Sequence, residues 1–233
     1  MNYSASEENY IKSIYRLKGD HQMVTTNELA AELQTRAASV TDMLKKLKSK
    51  KLVIYERYHG FKLSTEGKKV ALGIIRRHRL WEYFLSVKLQ FSWDEVHEVA
   101  EVLEHVTSRK LIDKLDEYLG FPRFDPHGDP IPDQHGKIHA AKQVVLSEWP
   151  LLELAEVSGV TDQRPDMLDI LKHQQITIGT QLEIKKKFSF DNSFEIKNRT
   201  NPPFIISEQV AKNIWVKKPG FGRVPKKGPA EDI

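Results

Sequence analysis

Two short helical patterns lie close together near the start of the chain, and this pair constrains the fold more than any other feature. The first begins with a capping box from Thr25 to Glu28 and extends for only about two or three turns. The second has Val40, Leu44 and Leu47 at the spacing of one helical face. Because helices of this length are marginal alone, they must bury their apolar faces against each other and against further elements. Together they form a helix-turn-helix pattern.

A helix precedes this pair and a hairpin follows it. Ser6 is the expected cap of the preceding helix, which should end near Gly19. The hairpin pairs a strand-like run that begins at Leu52 with a second run, Phe61–Leu63. Gly60 supplies the positive φ that a tight turn between the two runs needs. The order of these elements predicts a winged helix-turn-helix domain.

Helical patterns continue after the wing and then stop. Ser64 begins a long helix, and Ser92 with Glu95 caps another, which should extend to Val106. Residues 120–136 are dense in Pro, Gly, Asp and His, and this composition favours an irregular connection.

The last third of the chain has the pattern of strands. Runs such as Ile176–Ile184 and Ser193–Ile196 alternate or cluster as strands do, which predicts a small β-barrel. The fold class is therefore mainly α with a small β content. The expected domains are a winged helix-turn-helix domain at residues 1–73, a helical domain at 74–145, a β-barrel domain at 146–217 and a disordered tail at 218–233.

Charge is distributed unevenly along the chain. Residues 1–79 hold 16 Lys and Arg against 8 Asp and Glu, whereas residues 80–145 hold 7 against 12. A basic first domain has the electrostatics of a protein that meets phosphate, and the acidic segment after it attracts cations.

The second helix of the helix-turn-helix pair has a basic exposed face. Lysine-rich solvated faces are common, but in this motif the second helix enters the major groove. Double-stranded DNA is favoured over RNA because no interleaved aromatic residues are present to stack single-stranded bases. Residues expected at base edges are Arg36, Ala38, Ser39, Thr41 and Asp42. Residues expected at phosphates are Lys45, Lys46, Arg57 and Lys62.

Six His and Glu side chains fall on two neighbouring helical patterns, namely His78, Glu82, His97, Glu101, Glu104 and His105. On the helix expected to begin at Ser92, the last four form one stripe about 100° wide. Such pairs are common on solvated faces, but two sets on adjacent helices in an acidic segment favour a divalent transition metal. No HExxH spacing is present, so a fully ligated regulatory ion is favoured over a catalytic one.

Composition excludes several classes of protein. With no cysteine, disulfides, thiolate nucleophiles, iron–sulfur clusters and Cys-rich zinc folds are excluded. No run approaches the roughly 20 apolar residues that a spanning helix needs, and the first residues lack the layout of an export signal. We therefore expect a cytoplasmic protein without a membrane partner.

Several stretches together resemble the diphtheria-toxin-repressor family of metal-dependent transcription regulators. They are EENYIKSIY, VTDML, RRHRLWEYFL, VHEVAEVLEHV, PHGDPIP, IGTQLEI and IWV, and they extend over nearly the whole chain. The resemblance implies a homodimeric repressor that controls metal-ion homeostasis genes, with the helices after Leu80 at the dimer interface. It also implies that the last domain is an SH3-like, FeoA-type domain.

The resemblance further implies a ligand set. By position, the six His and Glu residues would be ligands, with Asn9 added from the first helix and Glu156 from the last domain. Glu101 stands where the manganese branch of the family has Glu and the iron branch tends to have Cys, which favours Mn²⁺ with Fe²⁺ second. Lys12 departs from the family, because the manganese branch has a ligating Glu there. The implied arrangement is one ion at Asn9, Glu101, Glu104 and His105, and another at His78, Glu82 and His97.

Two other functions stay open on the sequence. A His/Glu-site metalloenzyme would keep an open coordination position on its ion. A winged-helix regulator of an organic ligand would carry the same side chains as ordinary surface.

Overall fold

The computed structural model describes residues 3–18, 23–92, 95–105, 108–139, 143–199 and 201–219. The chain divides into two compact units, Met1–Ala140 and Ala141–Ile233. Within the described part, no helix is both long and apolar enough to cross a membrane. The expected disordered tail falls almost entirely on residues 220–233, which lie outside the described residues.

The first unit begins with a winged helix-turn-helix, as the sequence predicts. Its elements are α1 (Ala5–Lys18), α2 (Thr26–Glu32), α3 (Ala37–Ser49), β1 (Val53–Glu56) and β2 (Gly60–Leu63). The capping box between Thr25 and Glu28 is present, and the three apolar residues of α3 are fully buried. The cap of α1 is Ser4 and not Ser6, because the Ser4 hydroxyl accepts a hydrogen bond from the Glu7 amide while Glu7 accepts one from the Ser4 amide.

The wing is fixed against the strand-like segment at Val24. Residues Val24 and Phe61 exchange backbone hydrogen bonds of 2.7 and 2.9 Å. Gly60 has a φ of +110°, and a Cβ there would clash with the carbonyl oxygen of Val24. Both the positive φ and the close approach to Val24 therefore require glycine. The turn pattern in the sequence predicts the positive φ but not the close approach.

Three helices complete the first unit, namely α4 (Thr65–Leu89), α5 (Val96–Leu103) and α6 (Arg109–Tyr118). Helix α4 continues without a break through residues 73 and 74, where the sequence predicts the boundary between the first two domains. Helix α5 is shorter than predicted: Glu104 is its C-terminal cap and His105 lies in the following turn. The Arg77 guanidinium donates a hydrogen bond of 2.7 Å to the carbonyl oxygen of Glu104. The predicted continuation to Val106 lies outside the described residues.

The second unit is a six-stranded antiparallel sheet with small helices. Its elements are β3 (Val144–Val145), a short 3-10 helix (Leu146–Glu148), β4 (Leu154–Val160), α7 (Pro165–His173), β5 (Gln181–Lys187), β6 (Phe194–Asn198), β7 (Phe204–Ile206), α8 (Glu208–Lys212) and β8 (Ile214–Lys217). The strand order is β3-β8-β4-β5-β6-β7. The predicted strand Ile176–Ile184 is wrong in its first half, because Thr177 and Thr180 close a turn before β5 begins.

Candidate metal centre

Helix α4 places the first two predicted ligands in the interior of the first unit. His78 and Glu82 lie one turn apart and are 5% and 1% exposed. The Nε2 atom of His78 lies 2.9 Å from Oε1 of Glu82, and its Nδ1 atom lies 2.6 Å from Oε2 of the fully buried Glu104. The imidazole of His78 therefore joins a carboxylate of its own helix to one that follows α5.

Helix α5 adds His97 and Glu101 to the same group. His97 Nδ1 lies 3.1 Å from Nε2 of His78 and 3.2 Å from Oε1 of Glu82. One donor atom each of His78, His97 and Glu101 lies within 4.8 Å of the others. The structure thus brings together side chains that the sequence places on separate helices, which is the arrangement a divalent ion requires.

Helix α1 contributes Lys12, whose side chain is only 5% exposed. Its ammonium nitrogen lies 2.8 Å from both carboxylate oxygens of Glu101 and 2.6 Å from Oε1 of Glu104. A positive charge thus already bridges two of the predicted ligands. The sequence indicates that Lys12 would repel a cation, but it does not reveal this pairing.

The remaining predicted ligands, Asn9 and His105, each have one buried side-chain atom that makes no hydrogen bond within the described part of the chain. Among the described residues, neither Asn9 Oδ1 nor His105 Nε2 has a hydrogen-bond partner, although both atoms are buried, and His105 Nε2 lies 3.5 Å from Oε1 of Glu104. An unsatisfied buried polar atom is costly and calls for a ligand or an ion. The other ring nitrogen of His105 lies 2.7 Å from a carboxylate oxygen of Glu8, which is not among the ligands predicted from the sequence. An amide oxygen and an imidazole nitrogen are both ligand types that a divalent transition metal accepts.

Opposite charges set the protonation of this cluster. Burial alone would lower the pKa of His78, but the Glu82 and Glu104 carboxylates raise it to about 9. Burial raises the pKa of Glu101, yet the Lys12 ammonium outweighs it and lowers that pKa below its ordinary value. Burial likewise raises the pKa of Glu82, but the His78 imidazolium outweighs it and holds that pKa well below its ordinary value, and a divalent ion could take the place of these positive charges.

A second group of potential ligands surrounds the other oxygen of Glu82. Suitable atoms of Glu82, Asp125 and His127 lie within 4.8 Å of one another, and all three residues are buried. Burial, together with the neighbouring carboxylates of Glu82 and Asp129, raises the pKa of Asp125 to about 8. Neither Asp125 nor His127 is among the ligands predicted from the sequence. The succession of Asp and His inside an irregular Pro/Gly-rich loop was the signal that could have identified this group.

Glu156 belongs to the second unit. It lies on β4, and its carboxylate forms an ion pair of 3.0 Å with Lys217. Its role as a ligand remains a prediction.

The residues predicted to contact DNA lie on the surface of α3 and the wing. Eight of the nine are exposed, and Lys62 is partly exposed and paired with Glu56. Lys45 is paired with Asp42 at 3.1 Å, with both side chains more than 70% exposed. Lys46 is closer to the interior, since its ammonium lies 3.2 Å from a carboxylate oxygen of the buried Glu7.

Comparison with known proteins agrees with this architecture. The family described as iron dependent repressor, N-terminal DNA binding domain, matches residues 2–61, and its metal binding and dimerisation domain matches residues 64–133. The FeoA domain family matches residues 144–218. A transcriptional regulator named MntR from Bacillus pumilus is 32% identical over 116 residues, which cover 50% of this chain and 80% of the relative. The chain belongs to the diphtheria-toxin-repressor family.

Solved structures of metal-dependent repressors are similar to most of this chain. A manganese-dependent transcriptional repressor in complex with manganese is 31% identical, with a TM-score of 0.80 over 91% of this chain and 99% of the other. ScaR with bound Cd²⁺ is 30% identical, with a TM-score of 0.75 over 91% of this chain and 99% of the other. Because the diphtheria-toxin-repressor family consists of transcriptional repressors, the chain is not an enzyme, and the metalloenzyme alternative is removed.

Proposed function

We propose that this protein is a cytoplasmic, homodimeric repressor that binds an operator in double-stranded DNA and controls metal-ion homeostasis genes in response to Mn²⁺, with Fe²⁺ as the second choice. One observation carries this proposal. Charged side chains of α1, α4 and the α5 segment converge in the interior of the first unit, where Glu104 contacts both Lys12 and His78. Two of the proposed ligand atoms, Asn9 Oδ1 and His105 Nε2, are buried without a hydrogen-bond partner among the described residues, and His105 Nε2 lies 3.5 Å from Oε1 of Glu104. Buried ligand atoms without hydrogen bonds, beside paired carboxylates, support a cation site.

The residues divide into two sets. The proposed first set consists of Asn9, Glu101, Glu104 and His105. The proposed second set consists of His78, Glu82 and His97. Ligand atoms of Asp125 and His127 lie within 4.8 Å of one of Glu82, which supports adding these two residues, and ligand atoms of His78 and His97 also lie within 4.8 Å of one of Glu101. Oxygen donors outnumber imidazoles in the first set, which supports a hard divalent ion such as Mn²⁺. His78 contacts Glu104 of the first set and Glu82 of the second, so the two sets are not independent.

The first set joins the DNA-binding elements to the helices expected at the dimer interface. Asn9 lies on α1, which packs against the recognition helix α3, whereas Glu101 and Glu104 lie on and after α5. A bound ion would supply a positive charge shared by both parts. The side chains of α1 and the α5 segment then hold the winged helix in one orientation, so that two recognition helices of a dimer match successive major grooves.

The test is operator binding by Glu104→Ala with and without Mn²⁺. Because Glu104 is a proposed ligand, its removal should abolish metal-stimulated binding. Loss of its buried pairs with Lys12 and His78 also costs stability, so circular dichroism and sedimentation must show that the variant is a folded dimer, and Glu104→Gln, which keeps the size of the side chain, is the second variant. Glu98→Ala on the exposed part of α5 is the matched control and should keep the metal response. Metal stimulation that is unchanged in Glu104→Ala would overturn the ligand assignment. Failure of the wild-type protein to take up Mn²⁺ or Fe²⁺ in a titration would instead favour a regulator of an organic ligand.

A further inference from the structure

Helix α1 carries charged side chains toward two different parts of the first unit. Glu8 and Lys12 face the candidate metal centre, where Glu8 contacts His105 and Lys12 contacts Glu104. Glu7, the residue before Glu8, points instead to the end of the recognition helix. Its carboxylate oxygen Oε1 lies 2.6 Å from the ammonium of Lys50 and 3.2 Å from that of Lys46.

The Glu7 carboxylate is held firmly in this position. Its side chain is 2% exposed, and its second oxygen accepts a hydrogen bond of 2.9 Å from the Ser4 amide. A buried carboxylate that lost its cationic partners would remain as an uncompensated charge, so the pairs with Lys46 and Lys50 resist separation. The start of α1 and the last turns of α3 are therefore linked as one body.

We propose that Glu7 is a positioning residue that couples the metal centre to the recognition helix. Asn9, the ligand proposed on α1, is only two residues from Glu7, so both belong to the same turn of one helix. Any shift of that turn on ion binding moves the Glu7 carboxylate, and with it the ammonium groups of Lys46 and Lys50. This inference rests on the proposed metal-dependent operator binding and names the link through which it acts.

The test compares operator affinity with and without Mn²⁺ in the wild-type protein and in Glu7→Gln. The coupling ratio is the dissociation constant without Mn²⁺ divided by that with Mn²⁺. We expect Glu7→Gln to lower this ratio at least about fivefold, within the range of allosteric couplings. Mn²⁺ affinity measured without DNA should stay within about twofold of wild type. By thermodynamic reciprocity, the increase in Mn²⁺ affinity that operator DNA causes must fall by the same factor as the ratio.

Removal of a negative charge also strengthens DNA binding in general, and this effect needs a control. Glu32→Gln makes the same change at an exposed position on α2. It should raise affinity with and without Mn²⁺ alike, and so leave the ratio unchanged. Lys50→Gln removes the cationic partner of Glu7 instead, and it tests the same link if Glu7→Gln does not fold. The double variant of Glu7 and Lys50 should lower the ratio no further than either single variant.

Two results separate this link from the proposed function. A wild-type ratio of one would overturn the metal-dependent function and the link together. A wild-type ratio well above one that is retained in Glu7→Gln, or in Lys50→Gln, would overturn the link alone.

Discussion

The ammonium nitrogen of Lys12 lies 2.6 Å from Oε1 of Glu104, which is fully buried. The same nitrogen also contacts both carboxylate oxygens of Glu101. Lys12 therefore supplies, from the protein itself, the positive charge that two candidate ligands require. In the manganese branch, according to the resemblance, a ligating Glu stands at this position. We infer that this chain has a tethered cation where such relatives have another metal ligand.

Lys12→Met should destabilise the metal-free protein and increase its response to Mn²⁺. Removing one partner of a buried ion pair costs about 3–5 kcal/mol, because the other charge is left uncompensated. Added Mn²⁺ can then neutralise Glu101 and Glu104 without competing with an ammonium group. The melting temperature should fall without metal and rise with Mn²⁺ by more than in the wild-type protein.

The control for this prediction is Lys114→Met, since Lys114 is 68% exposed and pairs with the exposed Glu117. Exposed pairs contribute about 0–1 kcal/mol, so this variant should melt close to the wild type. A Lys12→Met protein that melts normally without metal, or that gains less from Mn²⁺ than the wild type, would contradict the role of Lys12.

Asp125→Asn should reduce the number of Mn²⁺ ions bound per chain. The Oδ1 atom of Asp125 accepts backbone hydrogen bonds from His127 at 2.8 Å and Asp129 at 2.9 Å, and an asparagine can accept both. The loop should therefore persist while the carboxylate between Glu82 and His127 is lost. Equilibrium dialysis against Mn²⁺ should show about one ion fewer than in the wild type.

Asp133 provides a matched control for Asp125. Its Oδ1 atom accepts the equivalent backbone hydrogen bonds from His135 and Lys137, but its carboxylate lies outside the two ligand groups found among the described residues. Asp133→Asn should leave the stoichiometry unchanged. Equal losses in the two variants would show that loop geometry, and not the Asp125 carboxylate, determines metal uptake.

Local patterns predicted the winged helix because its elements are defined by neighbouring residues. The capping box at Thr25 and the buried face of α3 depend on spacings of three and four residues, and both are present. The end of α5 is instead marked by Arg77, which is distant in the sequence and donates a hydrogen bond to the carbonyl oxygen of Glu104. A contact of this kind leaves no periodic signal, so the predicted helix was too long.

The candidate site was predicted in its composition but not in its charge balance. The spacing of His78 and Glu82 and of His97 and Glu101 gave side chains that the structure brings together. The pairing of Lys12 with Glu101 and Glu104 joins residues about 90 positions apart, and no spacing rule reports such a contact. Asp125 and His127 were missed because an irregular loop has no helical face from which to predict convergence.

Lys45→Ala should weaken DNA binding about equally for all sequences. The Lys45 side chain is 73% exposed, and its pair with the exposed Asp42 is weak enough for a phosphate to replace it. Loss of one phosphate contact should reduce the slope of log affinity against log salt by about 1. Fluorescence anisotropy over a series of salt concentrations measures this slope, and Lys114→Ala should not change it. A loss of affinity confined to one operator sequence would instead place Lys45 at a base edge.

Gly60→Ala and Gly73→Ala should have opposite effects on stability, although the chemical change is the same. Gly60 has a φ of +110°, and an added Cβ would meet the backbone of Val24, which the wing must approach closely. This variant should lose at least about 1–3 kcal/mol in the free energy of unfolding, and the wing should no longer dock. Gly73 lies inside α4, and a Cβ there has no atom within 4 Å. An alanine at this position should stabilise the helix by about 0.5–1 kcal/mol. Urea unfolding of both variants measures the difference, and a Gly60→Ala protein as stable as Gly73→Ala would show that the wing tolerates another backbone path past Val24.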